Sequence, residues 1–105
     1  MKNPNLSYIK SISGGDSEFE EHILNVLKND FFKEKKEFQE LYDDKNFIES
    51  ANLVHKIKHK FSILGLKDDF TIASEFEKQL QNKEVGLYND FVNILDKIHV
   101  YLKTQ

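Results

Sequence analysis

Two imidazoles and three ammonium groups crowd into six residues of this chain, His55-Lys56-Ile57-Lys58-His59-Lys60. A neutral imidazole nitrogen is a nucleophile and a base near pH 7, and an ammonium group neutralises a developing anion. Two histidines four residues apart also share one face of a helix, where they can grip one metal ion. The stretch therefore offers two chemistries, covalent attack by a ring nitrogen or metal chelation. The residues around it decide between them. Glutamate after the first histidine would suggest a zinc hydrolase, but Lys56 is there, and Lys58 also adjoins the pair. Positive neighbours disfavour a cation. His22 and His99 have no paired ligand nearby in sequence.

The elements that must hold these groups follow from apolar spacing. Phe47, Val54, Ile57, Phe61 and Leu64 form one seam at intervals of seven, three, four and three. At about 100° per residue, His55 falls roughly 100° from Val54, on the water edge of that seam. Its own face carries Ala51, Lys58, His59 and Ser62. A rigid helix thus presents an exposed ring between the small residues Ala51 and Ser62, open to a large visitor. Gly65 ends the seam as a left-handed cap, with Leu66 as the apolar residue beyond it.

The same periodicity accounts for the rest of the chain. Leu6, Ile9 and Ile12 make a short stripe that stops at Gly14-Gly15, with Leu6 and Ile9 read as a cap on the core. Asp16 or Ser17 opens the next helix, and Ser17-x-x-Glu20 has the form of a capping box. Phe19, Ile23, Val26, Leu27, Phe31, Phe38, Leu41 and Tyr42 continue it, with Asn29-Asp30 as a point of bending or division. Asp68 or Asp69 caps a helix with core positions Phe70, Ala73, Phe76 and Leu80. The last helix carries Leu87, Phe91, Ile94, Ile98 and Tyr101. No segment alternates with period two. The expectation is an all-α fold, an antiparallel (up-and-down) four-helix bundle with a short extra N-terminal helix and a core rich in phenylalanine.

The segment Leu53-Val54-His55-Lys56-Ile57-Lys58-His59-Lys60-Phe61-Ser62-Ile63-Leu64-Gly65-Leu66 resembles the signature of histidine-containing phosphotransfer (HPt) domains of bacterial multistep phosphorelays. The shared features are His55, Lys58 three residues later, a small residue at Ser62 and Gly65 ten residues after the histidine. The apolar frame and the short leading helix are also similar. The likeness is sharp over residues 51–66 and architectural over the rest, which implies one HPt-like domain over residues 1–105. It departs from the family at His59, where a glycine or another small residue is usual. The offsets to Lys58 and Gly65 single out His55 rather than His59.

The resemblance implies a phosphocarrier without kinase activity of its own. His55 would take a phosphoryl group from the aspartate of one receiver domain and pass it to another, and Lys58 would steady that group. Ile48, Ala51, Asn52, His59 and Ser62 would meet the partner. The partners implied are response-regulator receiver domains or a hybrid sensor histidine kinase. The carrier needs no cofactor of its own, since Mg²⁺ would come with the receiver. The alternative of another class is a helical-bundle adaptor that binds a signalling partner without being phosphorylated.

Composition is compatible with both. The chain has 105 residues, 39% hydrophobic and 31% charged, with no Cys and a formal charge of -3. That length supports one modest core. The charge argues against a nucleic-acid binder, and Lys56 and Lys60 read as solvated surface. No apolar run reaches 18 residues, and Lys2-Asn3-Pro4-Asn5 lacks the apolar stretch of a secretory leader. A cytoplasmic protein without a membrane role is expected. It should be a monomer, because each apolar seam is used up inside the bundle.

Overall fold

A computed structural model describes residues 2–105 and contains five helices: α1 (Ser7–Ser13), α2 (Ser17–Asp43), α3 (Phe47–Ile63), α4 (Lys67–Gln81) and α5 (Tyr88–Lys103). There is no strand among the described residues. The four longer helices pack in antiparallel order, and α1 lies against α2. At 27 residues α2 is far longer than its partners, so its N-terminal part runs on beside α1. A helix of that length spans about 40 Å, which sets the 44 Å long axis of the molecule.

Local chemistry explains the helix ends. Asp16, not Ser17, caps α2, and its carboxylate accepts from the backbone N–H groups of Glu18 and Phe19, both at 3.1 Å. The expected Ser17–Glu20 box is therefore not formed, because Ser17 is already the first helical residue. Asn29-Asp30 does not interrupt α2. Both are exposed, while Leu27 and Phe31 on either side are buried in the core and hold the helix straight through. Leu66 rather than an aspartate occupies the cap of α4, and Asp69 is instead buried in an ion pair with Lys97.

Three helices stop in the same way. After α3, Leu66 N–H donates to Phe61 C=O at 2.8 Å and Gly65 N–H to Ser62 C=O at 3.1 Å, with Gly65 at φ +80°. This is the paired closure of a Schellman motif, sealed by the apolar residues Phe61 and Leu66. The same two bonds close α2 at Lys45 and α4 at Lys83. Both lysines are held at φ +60°, a conformation in which a side chain is disfavoured.

The core is aromatic, though not every phenylalanine joins it. Phe31, Phe38, Phe61, Phe76 and Phe91 are fully buried. Phe38 sits among Phe76, Phe91, Tyr42 and Tyr88, with ring centroids 5.2–6.4 Å away. Phe19 and Val26, expected on the buried stripe, are exposed. On the same stretch of α2, Leu27 is buried and Ile23 and Leu24 pack on the core, so Phe19 and Val26 are left on the side of the helix that faces away from it. Ile12 is likewise exposed, whereas Ile9 is buried and Leu6 packs on the core. Leu87 caps α5 instead of joining it, and Leu95 and Leu102 complete its buried face. None of the helices described is long and apolar enough to cross a membrane.

Candidate functional site

Helix α3 is the element on which the site is built. Val54, Ile57, Phe61 and Leu64 are buried. That fixes the opposite face outward. Ile48, Asn52, His55, Lys56, His59 and Ser62 are all exposed there. The His55 side chain is 57% exposed. His59 stands one turn further on, its ring edge-on to that of His55 with centroids 5.1 Å apart. One shallow hollow beside His55 is lined by Glu49, Asn52, Leu53, Lys56 and Glu77. A second, beside His59, is lined by Tyr8, Ser62, Ile63 and Lys67.

Helix α4 supplies the residue that the sequence did not reveal. Glu77 turns its carboxylate toward α3, with Oε2 3.2 Å from His55 Nδ1 and Oε1 2.9 Å from Lys58 Nζ. An ionised carboxylate can only accept hydrogen bonds. The hydrogen between Glu77 and His55 therefore belongs to Nδ1, and in the neutral ring the lone pair is on Nε2. A carboxylate behind an imidazole is a recurrent means of fixing tautomer and orientation. The Glu77 side chain is only 16% exposed, so the pairing is partly shielded from water and stronger than a surface contact.

Lys58 is placed differently from expectation. Its ammonium is not free beside His55. It is mostly buried, paired with Glu77, 3.3 Å from Ser74 Oγ and 5.3 Å from the centre of the Phe70 ring. The apolar flank of α4 draws in the lysine stem, and the carboxylate takes the charge. Lys60 is not solvated surface either, because it is largely buried and 2.8 Å from Glu34 of α2. Lys56 is exposed.

Ala51 corrects the reading of the site's rim. At 1% exposure it belongs to the core, and its side chain presents nothing to a partner. Its small side chain is used in packing the core instead of leaving room for a visitor. The outward set is thus Ile48, Asn52, His55, His59 and Ser62, with Glu77 and Lys58 behind it.

Among the described residues no group of three or more His, Asp or Glu is arranged to hold a metal ion. No family model, no curated protein and no solved structure matches the chain.

Proposed function

We propose that this protein is a histidine phosphocarrier that relays a phosphoryl group between receiver-domain aspartates through His55. The observation that carries the reading is the His55–Glu77 pair. A ring on a rigid helix keeps its Nδ1–H on a carboxylate, which leaves the lone pair on Nε2 of a side chain that is 57% exposed. Transfer would begin when Nε2 attacks the phosphorus of an aspartyl phosphate. The Nε2–P bond forms as the P–O bond to the aspartate breaks, and the carboxylate leaves with that electron pair. Nδ1 keeps its proton, and the positive charge gained by the ring is balanced by Glu77. Lys58 holds the other carboxylate oxygen and so keeps Glu77 in position. Reverse attack by a second aspartate on the same phosphorus returns the ring to its starting form.

The partner would be a receiver domain, free or within a hybrid sensor histidine kinase, which brings its own acidic pocket and Mg²⁺. The exposed Ile48, Asn52, His59 and Ser62 provide a mixed apolar and polar surface around the reactive ring, as docking faces do. Such a carrier works in the cytoplasm as a monomer and needs no kinase activity.

The test is transfer from a phosphorylated receiver to wild type, His55→Gln and His59→Gln. The expected result is an acid-labile, base-stable label on wild type and His59→Gln, and none on His55→Gln. No label on any of them, with several receivers and Mg²⁺ present, would replace this reading with that of an unphosphorylated adaptor. Loss in His59→Gln alone would move the reactive position to His59.

A further inference from the structure

The phosphocarrier reading leaves open what holds the phosphoryl group once it is on His55, and the obvious cation is committed elsewhere. Lys58 Nζ is shared between the Glu77 carboxylate at 2.9 Å and Ser74 Oγ at 3.3 Å, and its side chain is only 13% exposed. The carboxylate holding it also holds His55 Nδ1, on the side of the ring away from Nε2. Two of the three N–H donors of this largely buried ammonium are thus already spent, on the carboxylate that orients the ring and on a serine of α4. The chain contains no arginine that could replace it.

His59 has no such commitment. Its ring stands exposed on the same face, 5.1 Å from the His55 ring between centroids, and makes no side-chain hydrogen bond among the described residues. An N–H of an imidazole donates well to a phosphoryl oxygen, and a bond to a charged acceptor is stronger than one between neutral groups. We infer that His59, rather than Lys58, is the residue that binds the phosphoryl oxygens of phosphorylated His55, which makes it a catalytic residue of the relay. This rests on the phosphocarrier reading for its biological meaning. Lys58 is then a positioning residue that acts through Glu77.

The test loads His55 without a receiver, so that the two readings can fail separately. Phosphoramidate is the donor: its P–N bond breaks, ammonia leaves with the electron pair, and Nε2 takes the phosphoryl group. Half-life of the phosphohistidine is measured for wild type, His59→Phe, His59→Gln and Lys58→Gln, together with the ring nitrogen shifts of His59 before and after loading. Phenylalanine keeps a ring against Phe70 but has no donor, while glutamine keeps a donor.

The expected result is a half-life at least about tenfold shorter in His59→Phe, the lower end for one hydrogen bond to a charged group. His59→Gln keeps a donor and should retain most of the wild-type half-life, Lys58→Gln should lose less than His59→Phe because Lys58 acts only through Glu77, and the His59 nitrogens should shift on loading. Equal half-lives for wild type and His59→Phe would overturn the inference, as would a loss in Lys58→Gln as large as that in His59→Phe or larger. Failure of wild type to load at His55 would overturn both readings. A loaded His55 that no receiver discharges, with the His59 effect intact, would reject the relay and keep the contact.

Discussion

His55 and Glu77 stand 22 residues apart, at equal distances on either side of Leu66, and meet at 3.2 Å. Lys58 and Ser74, 16 residues apart, are mirrored about the same residue. The tight closure at Gly65 folds α4 back along α3, so residues equidistant from the turn face each other. Replacing Glu77 by Gln puts an amide there, which donates as readily as it accepts and no longer fixes the hydrogen on Nδ1. Phosphoryl acceptance by Glu77→Gln should fall about tenfold, the lower end of the loss seen when the partner that orients a metal-bound histidine is removed. The check is single-turnover transfer alongside the ring nitrogen shifts of His55. An unchanged tautomer with unchanged transfer would show that Glu77 orients nothing.

The two sides of α3 should respond differently to substitution. Ala51 is buried in the core, so Ala51→Leu overfills its surroundings and should cost about 1–3 kcal/mol. Ile48→Ala and Asn52→Ala remove exposed side chains and should alter stability by no more than about 0.5 kcal/mol. On the proposed function, the exposed pair should instead slow transfer from a receiver. Urea unfolding and transfer rates measured on the same three variants separate the roles. A stable Ala51→Leu would mean that the core has slack at this point.

Much of this arrangement can be read from residue spacing. Val54, Ile57, Phe61 and Leu64 fix which way α3 faces, and Gly65 with Leu66 fixes where it ends, because both depend only on neighbours in sequence. Glu77 cannot be found that way, since its significance comes from the register between two helices. That register was nevertheless available in principle: a tight turn at Gly65 places residue 77 across from residue 55. Ala51 fails for a related reason. On a single helical wheel it shares the face of His55, and only the packed core shows that this edge is covered. Phe19 and Val26 follow the apolar period of α2, yet Ile23, Leu24 and Leu27 take the side that meets the core and leave those two outside it.

The three helix closures make a stability prediction of opposite signs. A Cβ at Gly65 would meet Asn5 Nδ2 at 2.5 Å in addition to the strain of φ +80°, and the Asn5 side chain is itself in use, accepting from Ser7 N–H. Gly65→Ala should therefore destabilise the protein by about 1–2 kcal/mol. Lys45 and Lys83 occupy equivalent left-handed positions with side chains already present. Lys45→Gly and Lys83→Gly relieve that strain and should each stabilise by up to about 1 kcal/mol. Denaturation midpoints at constant m-value test all three. Destabilisation by either lysine replacement would show that the chain entropy of the added glycine exceeds the strain relieved.

A pH effect on stability should come from the opposite side of the bundle. His99 of α5 lies against the Phe32 ring, with centroids 4.9 Å apart, and Lys35 Nζ is 3.2 Å from its Nδ1. Burial, then the charges of Lys35 and Lys103, hold the His99 pKa below its ordinary 6.5, while Asp96 pulls weakly the other way. As pH falls through about 6.5 the unfolded chain takes up this proton while the folded one does not. The contribution of His99 to stability is therefore complete above that pH and is lost as pH falls through the depressed value. His99→Phe preserves an aromatic contact with Phe32 and removes the titration. Between about pH 7.5 and pH 5, wild type should lose more stability than His99→Phe in urea titrations, with His22, His55 and His59 common to both. Parallel pH profiles would mean that His99 binds its proton equally well folded and unfolded, and that the Lys35 contact does not exclude it.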